Sequence, residues 1–349
     1  MSKIRERFGT EELAICLSHY DLGVIESIEE FPRGSSRAPK MVIDSERGRF
    51  LFKRRAHGRD NIQRAAFTHQ IQLLLASRNF PLPHLLGTRR TQNSMLVLGE
   101  SVYEMFEFIS GSGYDSSLAA TYHAGKILGL YHKLLHDFTS DYTPPRGSYH
   151  DAKAIHNAIR NTVASLPLDT RPPAEKLTSA IQRVEDAYRT CAREADRLGL
   201  TDWPAQIVHG DWHPGNMLFR EHQVVAVIDY DAARLQQRII DVANGALQFS
   251  IIGGGDVPAQ WPAYLDENRF KRFLRGYDSV YDDQDMLSMA EIRAIPYLMC
   301  EAMIAEAVLP IAATGSFGRF QGFAFLEMIQ RKVDWILQHS DQLVQVMAD

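Results

Sequence analysis

The sequence is poor in cysteine, has no long apolar run and carries no large excess of charge of either sign. Three cysteines, Cys16, Cys191 and Cys300, occur in 349 residues. They form no CxxC pair and no metal-ligand spacing, and an odd number leaves at least one free. A disulfide scaffold is therefore excluded, and the three read as buried apolar thiols in a reducing compartment. No stretch approaches the ~20 uninterrupted apolar residues of a membrane span. The best candidate, 297–313, is broken by Glu301, Glu306 and Pro310, so no membrane partner is expected. The opening MSKIRERFGTEELAICL has early basic residues but no apolar core and no small-residue cleavage site. No secretory leader is expected, and the expected location is cytoplasmic. Lys plus Arg number 38 against 43 Asp plus Glu. This balance gives no general basic surface, and non-specific nucleic-acid binding is not expected.

An apolar fraction of 45% with 23% charged residues is that of a globular chain with a sizeable core, not of a disordered, collagen-like or coiled-coil one. At ~100–200 residues per domain the length suggests roughly two lobes. The first third reads as a short helix over 11–20 capped by Thr10, strands over 24–31, 40–43 and 49–53, a helix over 61–77, and strands over 94–98 and 102–109. After Gly111 the texture turns helical, with amphipathic stretches over 119–136, 174–198, 269–277 and from 291 onward. One island of strand signal, 207–228, interrupts them.

That island holds the informative motif. It reads Ile207-Val208-His209-Gly210-Asp211-Trp212-His213-Pro214-Gly215-Asn216-Met217-Leu218, followed by Val224-Val225-Ala226-Val227-Ile228-Asp229-Tyr230-Asp231. An aspartate, an asparagine five residues on, and a second aspartate ending an apolar strand suit phosphoryl transfer. One carboxylate orients and deprotonates an acceptor hydroxyl, while the asparagine oxygen and the second carboxylate hold Mg²⁺ on nucleotide phosphates. Pro214 and Gly215 permit the sharp loop between them. Two other readings compete. Gly210, Pro214 and Gly215 alone describe a plain turn, which leaves Asn216 and the acidic strand end unexplained. His209, Asp211 and His213 alternate and would suit a Zn²⁺ or Mn²⁺ hydrolase if the chain stayed extended there.

These segments resemble the aminoglycoside phosphotransferase and choline kinase superfamily, in particular its homoserine-kinase-like and spore-coat-kinase-like branch. The resemblance implies an α+β, bilobal protein-kinase-like fold. Residues 1–108 would be a small antiparallel-sheet lobe that binds nucleotide, and 109–349 a larger, mainly helical lobe that binds the acceptor. It implies ATP and Mg²⁺ as cofactors and a small-molecule hydroxyl as acceptor. Asp211 takes the place of the catalytic base, and Asn216 and Asp229 those of the metal ligands. Asp231 stands where protein kinases have a glycine, and Asp241 matches an aspartate that braces the catalytic loop; an exposed helix-capping role is the alternative for Asp241. Lys53 resembles the phosphate-binding lysine, with Phe50 and Phe52 expected beneath the helix over 61–77 and Arg54 pointing away. Gly34, Ser35 and Ser36 sit where a phosphate-covering loop belongs, although no G-x-G-x-x-G is present. The Glu107 carbonyl and Ile109 N–H match the adenine-pairing hinge. One departure stands out: the helix that normally gives the lysine an acidic partner reads Ala65-Ala66-Phe67-Thr68-His69-Gln70-Ile71-Gln72, without an acid. That loss motivates a second expectation, a non-catalytic nucleotide-binding protein of the same fold.

Overall fold

The computed structural model describes residues 5–169 and 171–348; the first four residues of the stretch read for a leader lie outside them. The first lobe runs α1 (Thr10–Leu17), β1 (Ile25–Glu30), β2 (Lys40–Ser45), β3 (Gly48–Arg54), α2 (Ile62–Ser77), β4 (Leu96–Leu98) and β5 (Ser101–Glu107). Its strands form one antiparallel sheet in the order β1-β2-β3-β5-β4. The expected strands and the helix over 61–77 are present, with every end within two residues of the predicted one. Asn61 caps α2 by accepting the Arg64 N–H at 3.0 Å. The cap of α1 is Gly9 rather than Thr10, because the Glu12 side chain reaches back to the Gly9 N–H at 3.0 Å.

Strand alternation sorts this sheet into an apolar and an ionic face. Phe52 stacks on Phe8 and on Tyr103, with centroids 5.3 and 5.8 Å apart. Together with Phe50, Met105, Cys16, Leu17 and Tyr20 they make a separate small core. The helix over these phenylalanines is therefore α1, not α2 as the sequence suggested. The reason lies in what each helix offers. Phe8, Cys16, Leu17 and Tyr20 present apolar surface, whereas the buried part of α2 includes Thr68, His69 and Gln72, which suit the ionic face. The apolar side of α2, with Phe67, Ile71 and Leu75, joins the larger core instead.

The second lobe continues through α3 (Leu118–Leu134), α4 (Lys153–Ser165), α5 (Ala174–Arg197), β6 (Ala205–Val208), β7 (Met217–Arg220), β8 (Gln223–Val227), β9 (Arg234–Gln237), α6 (Arg238–Ser250), α7 (Glu267–Asp278), α8 (Met289–Thr314), the two-residue strands β10 (Ser316–Phe317) and β11 (Phe320–Gln321), α9 (Gly322–Gln338) and α10 (Ser340–Ala348). Two of these helices, α4 and α6, have no counterpart among the expected ones. Nearly every residue of α6 is buried. By length and composition α8 could cross a membrane, yet 78% of its apolar window is buried inside the protein. It is the central core helix, packed against α4, α5, α6 and α9. All three cysteines are free and buried, as expected.

The link between lobes is tied down. Ser112 and Phe219 exchange backbone hydrogen bonds at 2.8 and 2.9 Å. A Cβ on Gly111 would lie 2.9 Å from that of Leu218, so only glycine lets the linker lie this close to β7.

Candidate active site

The catalytic segment leaves β6 at Val208 and turns sharply at Gly210, whose φ is +75°. A Cβ there would lie 2.5 Å from the Ala232 carbonyl. The glycine thus lets the Asp211 loop touch the turn that carries Asp229. Below the loop, Asp241 on α6 is 1% exposed. Its two oxygens accept the His209 and Gly210 N–H groups at 2.9 and 3.0 Å. Its burial excludes the exposed helix-capping alternative. His132 on α3 completes the brace, with Nε2 3.2 Å from Asp241 and Nδ1 2.9 Å from the Tyr277 hydroxyl. Burial lowers the pKa of His132 more than Asp241 raises it. A neutral ring fits those bonds, with Nε2–H donating to the carboxylate and Nδ1 accepting from tyrosine.

Asp211 itself is half-exposed, and its Oδ2 and backbone carbonyl each accept from Asn216 Nδ2 at 3.0 Å. That orientation leaves the Asn216 oxygen free to ligate. His213 Nε2 lies 3.6 Å from Asp211. Burial opposes the Asp211 charge, but His213, and Asn216 after it, hold the carboxyl below the usual range. Asp229 adopts φ 64°, ψ 71°, left-handed geometry that costs a non-glycine residue on the order of 1–3 kcal/mol. Neighbours fix the turn: Ile228 N–H donates to the Asn216 carbonyl at 2.9 Å, Tyr230 is buried, and Arg64 Nη2 reaches the Asp231 carbonyl at 2.7 Å. Asp229 is exposed, and among the described residues no Lys or Arg pairs with it or with Asp211. An exposed carboxylate without a lysine or arginine partner, Asp229, and the free Asn216 oxygen are hard donors of the kind that suit Mg²⁺.

A cavity of about 460 Å³, whose lining includes Arg55, Arg64, Asp211, Asp229 and Asp231, meets the ionic face of the sheet at Arg55. Lys53 Nζ is 3.4 Å from Glu104 Oε2 and 3.9 Å from Asp231. Burial opposes its charge, yet Glu104 and then Asp231 hold the ammonium above its ordinary pKa. Arg54 points to the other face and pairs with Glu6 and Glu12, so the predicted register holds. Sequence reasoning missed three groups here. Arg55 is buried between Glu104 at 2.7 Å and Asp231 at 2.8 Å. Lys40 lies directly across the β2–β3 ladder from Lys53. Glu104 on β5 is 1% exposed and supplies the carboxylate absent from the helix. The period-two pattern of β5 would have placed Glu104 on the Lys53 face had the two strands been paired in advance.

Of the other predicted residues, Gly34 has φ +82°, and a Cβ there would lie 2.6 Å from Lys40 Nζ. Ser35 Oγ accepts the Arg37 N–H at 3.2 Å, and the Ser36 carbonyl accepts the Glu6 N–H at 2.8 Å. This loop is therefore tethered to Lys40 and to the N-terminal segment. Glu107 closes β5, and among the described residues no backbone hydrogen bond engages the Ile109 N–H. The His209/Asp211/His213 metal triad does not form, because the turn at Gly210 breaks the alternation. His209 is fully buried among Tyr131, Trp212 and Tyr230, and among the described residues no three His, Cys, Asp or Glu side chains are placed to hold a metal. Trp212 is core as well, whereas Trp203 and Trp261 are half-buried.

The model of the phosphotransferase enzyme family matches residues 27–291. Among solved structures, a microcompartment-associated aminopropanol kinase superposes with a TM-score of 0.68 at 12% identity, covering 96% of this chain and 98% of its own. An amicoumacin kinase determined with AMP-PNP and Ca²⁺ gives 0.67 at 12% identity, covering 94% and 93%. Choline kinase from Cryptosporidium parvum Iowa II gives 0.62 at 14%, covering 97% of each chain. These likenesses establish the bilobal kinase-like fold. No curated protein matches the chain.

Proposed function

Because the chain belongs to the phosphotransferase enzyme family, we propose that it is an ATP- and Mg²⁺-dependent kinase acting on a hydroxyl of a small molecule, such as an amino alcohol, a homoserine-like amino acid, a sugar or an aminoglycoside. Residues 1–108 form the nucleotide lobe and 109–349 the catalytic and acceptor lobe. The observation that carries this reading is the pair of carboxylates, Asp211 and Asp229, that line one cavity without a lysine or arginine partner among the described residues, with Asn216 hydrogen-bonded to Asp211 and Lys53 3.9 Å from Asp231 of the same lining.

In this mechanism Lys53 holds the phosphates, and the Glu107 carbonyl and Ile109 N–H pair with adenine. The Gly34-Ser35-Ser36 loop covers the phosphates. Asp211 accepts the hydrogen bond of the acceptor hydroxyl and takes its proton as that oxygen attacks the γ-phosphorus. The bond to the β-phosphate oxygen breaks, and ADP leaves. Asn216 and Asp229 would hold Mg²⁺, which when bound offsets the charge on the phosphates. Asp211, kept ionised by its neighbours, acts at neutral pH mainly by orienting the hydroxyl. On the acceptor side, Glu306 of α8 accepts from Gln248 at 2.7 Å. Glu306 is exposed, yet the protein atoms crowded around its carboxyl, and the negative field of Asp211, raise its pKa. Such a carboxylate suits a cationic amino group on the acceptor, as amino alcohols and aminoglycosides carry. Glu104 also removes the reason for a non-catalytic reading, since the lysine is not without an acid.

The test is an ADP-release screen against amino alcohols, homoserine-like amino acids, sugars and aminoglycosides, with Asp211→Asn as the blank. Release above the blank with one acceptor class is expected. Tight ATP binding with no release above the blank from any acceptor would instead support a nucleotide-binding protein without transfer activity.

A further inference from the structure

Lys53, which pairs with Asp231 of the cavity lining, lacks an acid on the neighbouring helix, and the geometry points to where the missing role has gone. We propose that Glu104 on β5 is the positioning residue for Lys53, that the sheet register rather than the placement of α2 fixes the phosphate-binding lysine, and that His69 ties α2 to this carboxylate in place of a helix glutamate. The inference rests on the nucleotide-binding reading above.

Three observations carry it. Lys53 and Glu104 are direct cross-strand partners in the β3–β5 ladder, so their side chains leave the same face of the sheet a strand spacing apart, about 5 Å. Glu104 is almost completely buried, and its oxygens are divided between partners. Oε1 takes Arg55 Nε at 2.7 Å and His69 Nε2 at 2.8 Å, which leaves Oε2 to the Lys53 ammonium at 3.4 Å. The alternative acid, Asp231, is farther from Lys53 at 3.9 Å and already binds Arg55 at 2.8 Å.

Among the described residues of the helix, His69 is the side chain that binds Glu104, while Arg64 at its start reaches the Asp231 carbonyl at 2.7 Å. Thr68 Oγ1 turns back to the Ala65 carbonyl at 2.9 Å, and Gln72 Nε2 turns back to the Thr68 carbonyl at 3.2 Å. Gln70 binds Asp141 and Ser140 of the other lobe. His69 alone reaches the sheet, with Nδ1 2.8 Å from Ser94 Oγ and Nε2 on Glu104. A carboxylate on the helix would tie the lysine to the position of α2. A carboxylate one strand away ties it to hydrogen bonds of the sheet, which do not change when a helix shifts.

The test compares ATP·Mg²⁺ dissociation constants and steady-state kinetics for the full chain and its variants. Glu104→Gln should weaken nucleotide binding by about tenfold or more, the loss expected when a buried charge-assisted contact goes. The effect should appear in the KM for ATP, with turnover at saturating ATP largely kept, a split that general unfolding would not give. His69→Gln should change affinity by less than about threefold, because it removes a hydrogen bond to Glu104 and not the acid itself. Because Glu104→Gln leaves Lys53 and Arg55 short of a counter-charge, which works against folding, the double variant Glu104→Gln/His69→Glu, which returns an acid from the helix side, is measured beside it. A folded double variant that binds ATP more tightly than folded Glu104→Gln, or that binds it at all where Glu104→Gln does not fold, supports the proposal. Unchanged affinity in Glu104→Gln, a loss in His69→Gln as large as that in Glu104→Gln, or a folded double variant without affinity overturns it. If the native chain binds no ATP·Mg²⁺, the kinase reading itself fails, and that failure is visible before any variant is made.

Discussion

The two walls of the cavity balance charge in opposite ways. On the sheet wall, Lys53, Arg55, Glu104 and Asp231 form a dense ionic network in which every cation has a carboxylate within 4 Å. On the loop wall, Asp211 and Asp229 have no lysine or arginine partner among the described residues, the one half-exposed with the His213 imidazole 3.6 Å away and the other exposed. A buried ionic group is tolerated when its partners surround it, so the first wall is complete as folded and serves to hold one ammonium in place. The second keeps negative charge in reserve, and Asp229 is held there in a strained backbone geometry. Reserve of that kind is what a divalent cation would complete. On the proposed function the first wall serves positioning and the second chemistry, and their variants should fail differently.

Removing Asp211 should show the largest effect. Asp211→Ala is expected to reduce turnover by roughly 10²–10⁴-fold, as loss of a general base does, while the ATP-induced rise in Tm persists. A parallel loss of nucleotide binding would erase the distinction between the walls. Asp241→Ala comes next, because it strips the brace from beneath the loop. Two buried N–H groups and His132 would lose their acceptor, for a destabilisation of about 3–5 kcal/mol. Urea unfolding measures it, and Asp241→Asn, which keeps one acceptor oxygen, should cost less.

On the sheet wall, Lys53→Ala should raise the KM for ATP by about tenfold or more, whereas Arg54→Ala should leave it unchanged. Arg54 pairs with Glu6 and Glu12 on the far face, so its loss belongs to stability, within about 1 kcal/mol. Steady-state titration of ATP with both variants decides the register, and the reverse pattern would contradict it.

The smallest effect concerns pH. Burial raises the Glu104 pKa, but Lys53 and Arg55 outweigh it and hold the carboxyl well below its ordinary value. A carboxyl depressed in the folded state contributes stability that is present above its unfolded pKa and lost as pH falls through the folded one. This contribution should therefore be intact at neutral pH and disappear only in acid below the usual glutamate range. Urea midpoints of native protein and Glu104→Gln, compared from pH 7 downward, should converge only there.

The two walls also differ in how far they could be read from sequence. Asp211, Asn216 and Asp229 lie within 19 positions, and local turn chemistry brings them together, so one motif revealed all three. Lys53, His69 and Glu104 come from β3, α2 and β5 and meet only through strand pairing and helix docking. Lys53 was legible as a strand-end lysine; Glu104 was not, because nothing in a single sequence says which strands become neighbours. The choice of α1 over α2 as the cover for Phe52 was hidden for the same reason. Helix α6 went unrecognised, although its Asp241 was identified from the motif.

The most direct measurement of the central claim is the melting temperature of native protein, Asp229→Ala and His213→Ala with an ATP analogue, with and without Mg²⁺, and with Zn²⁺ alone. The account predicts a rise for native protein that needs nucleotide and Mg²⁺ together, is largely lost in Asp229→Ala and persists in His213→Ala. An equal rise in Asp229→Ala, no rise at millimolar nucleotide, or a rise with Zn²⁺ alone that His213→Ala abolishes would contradict it.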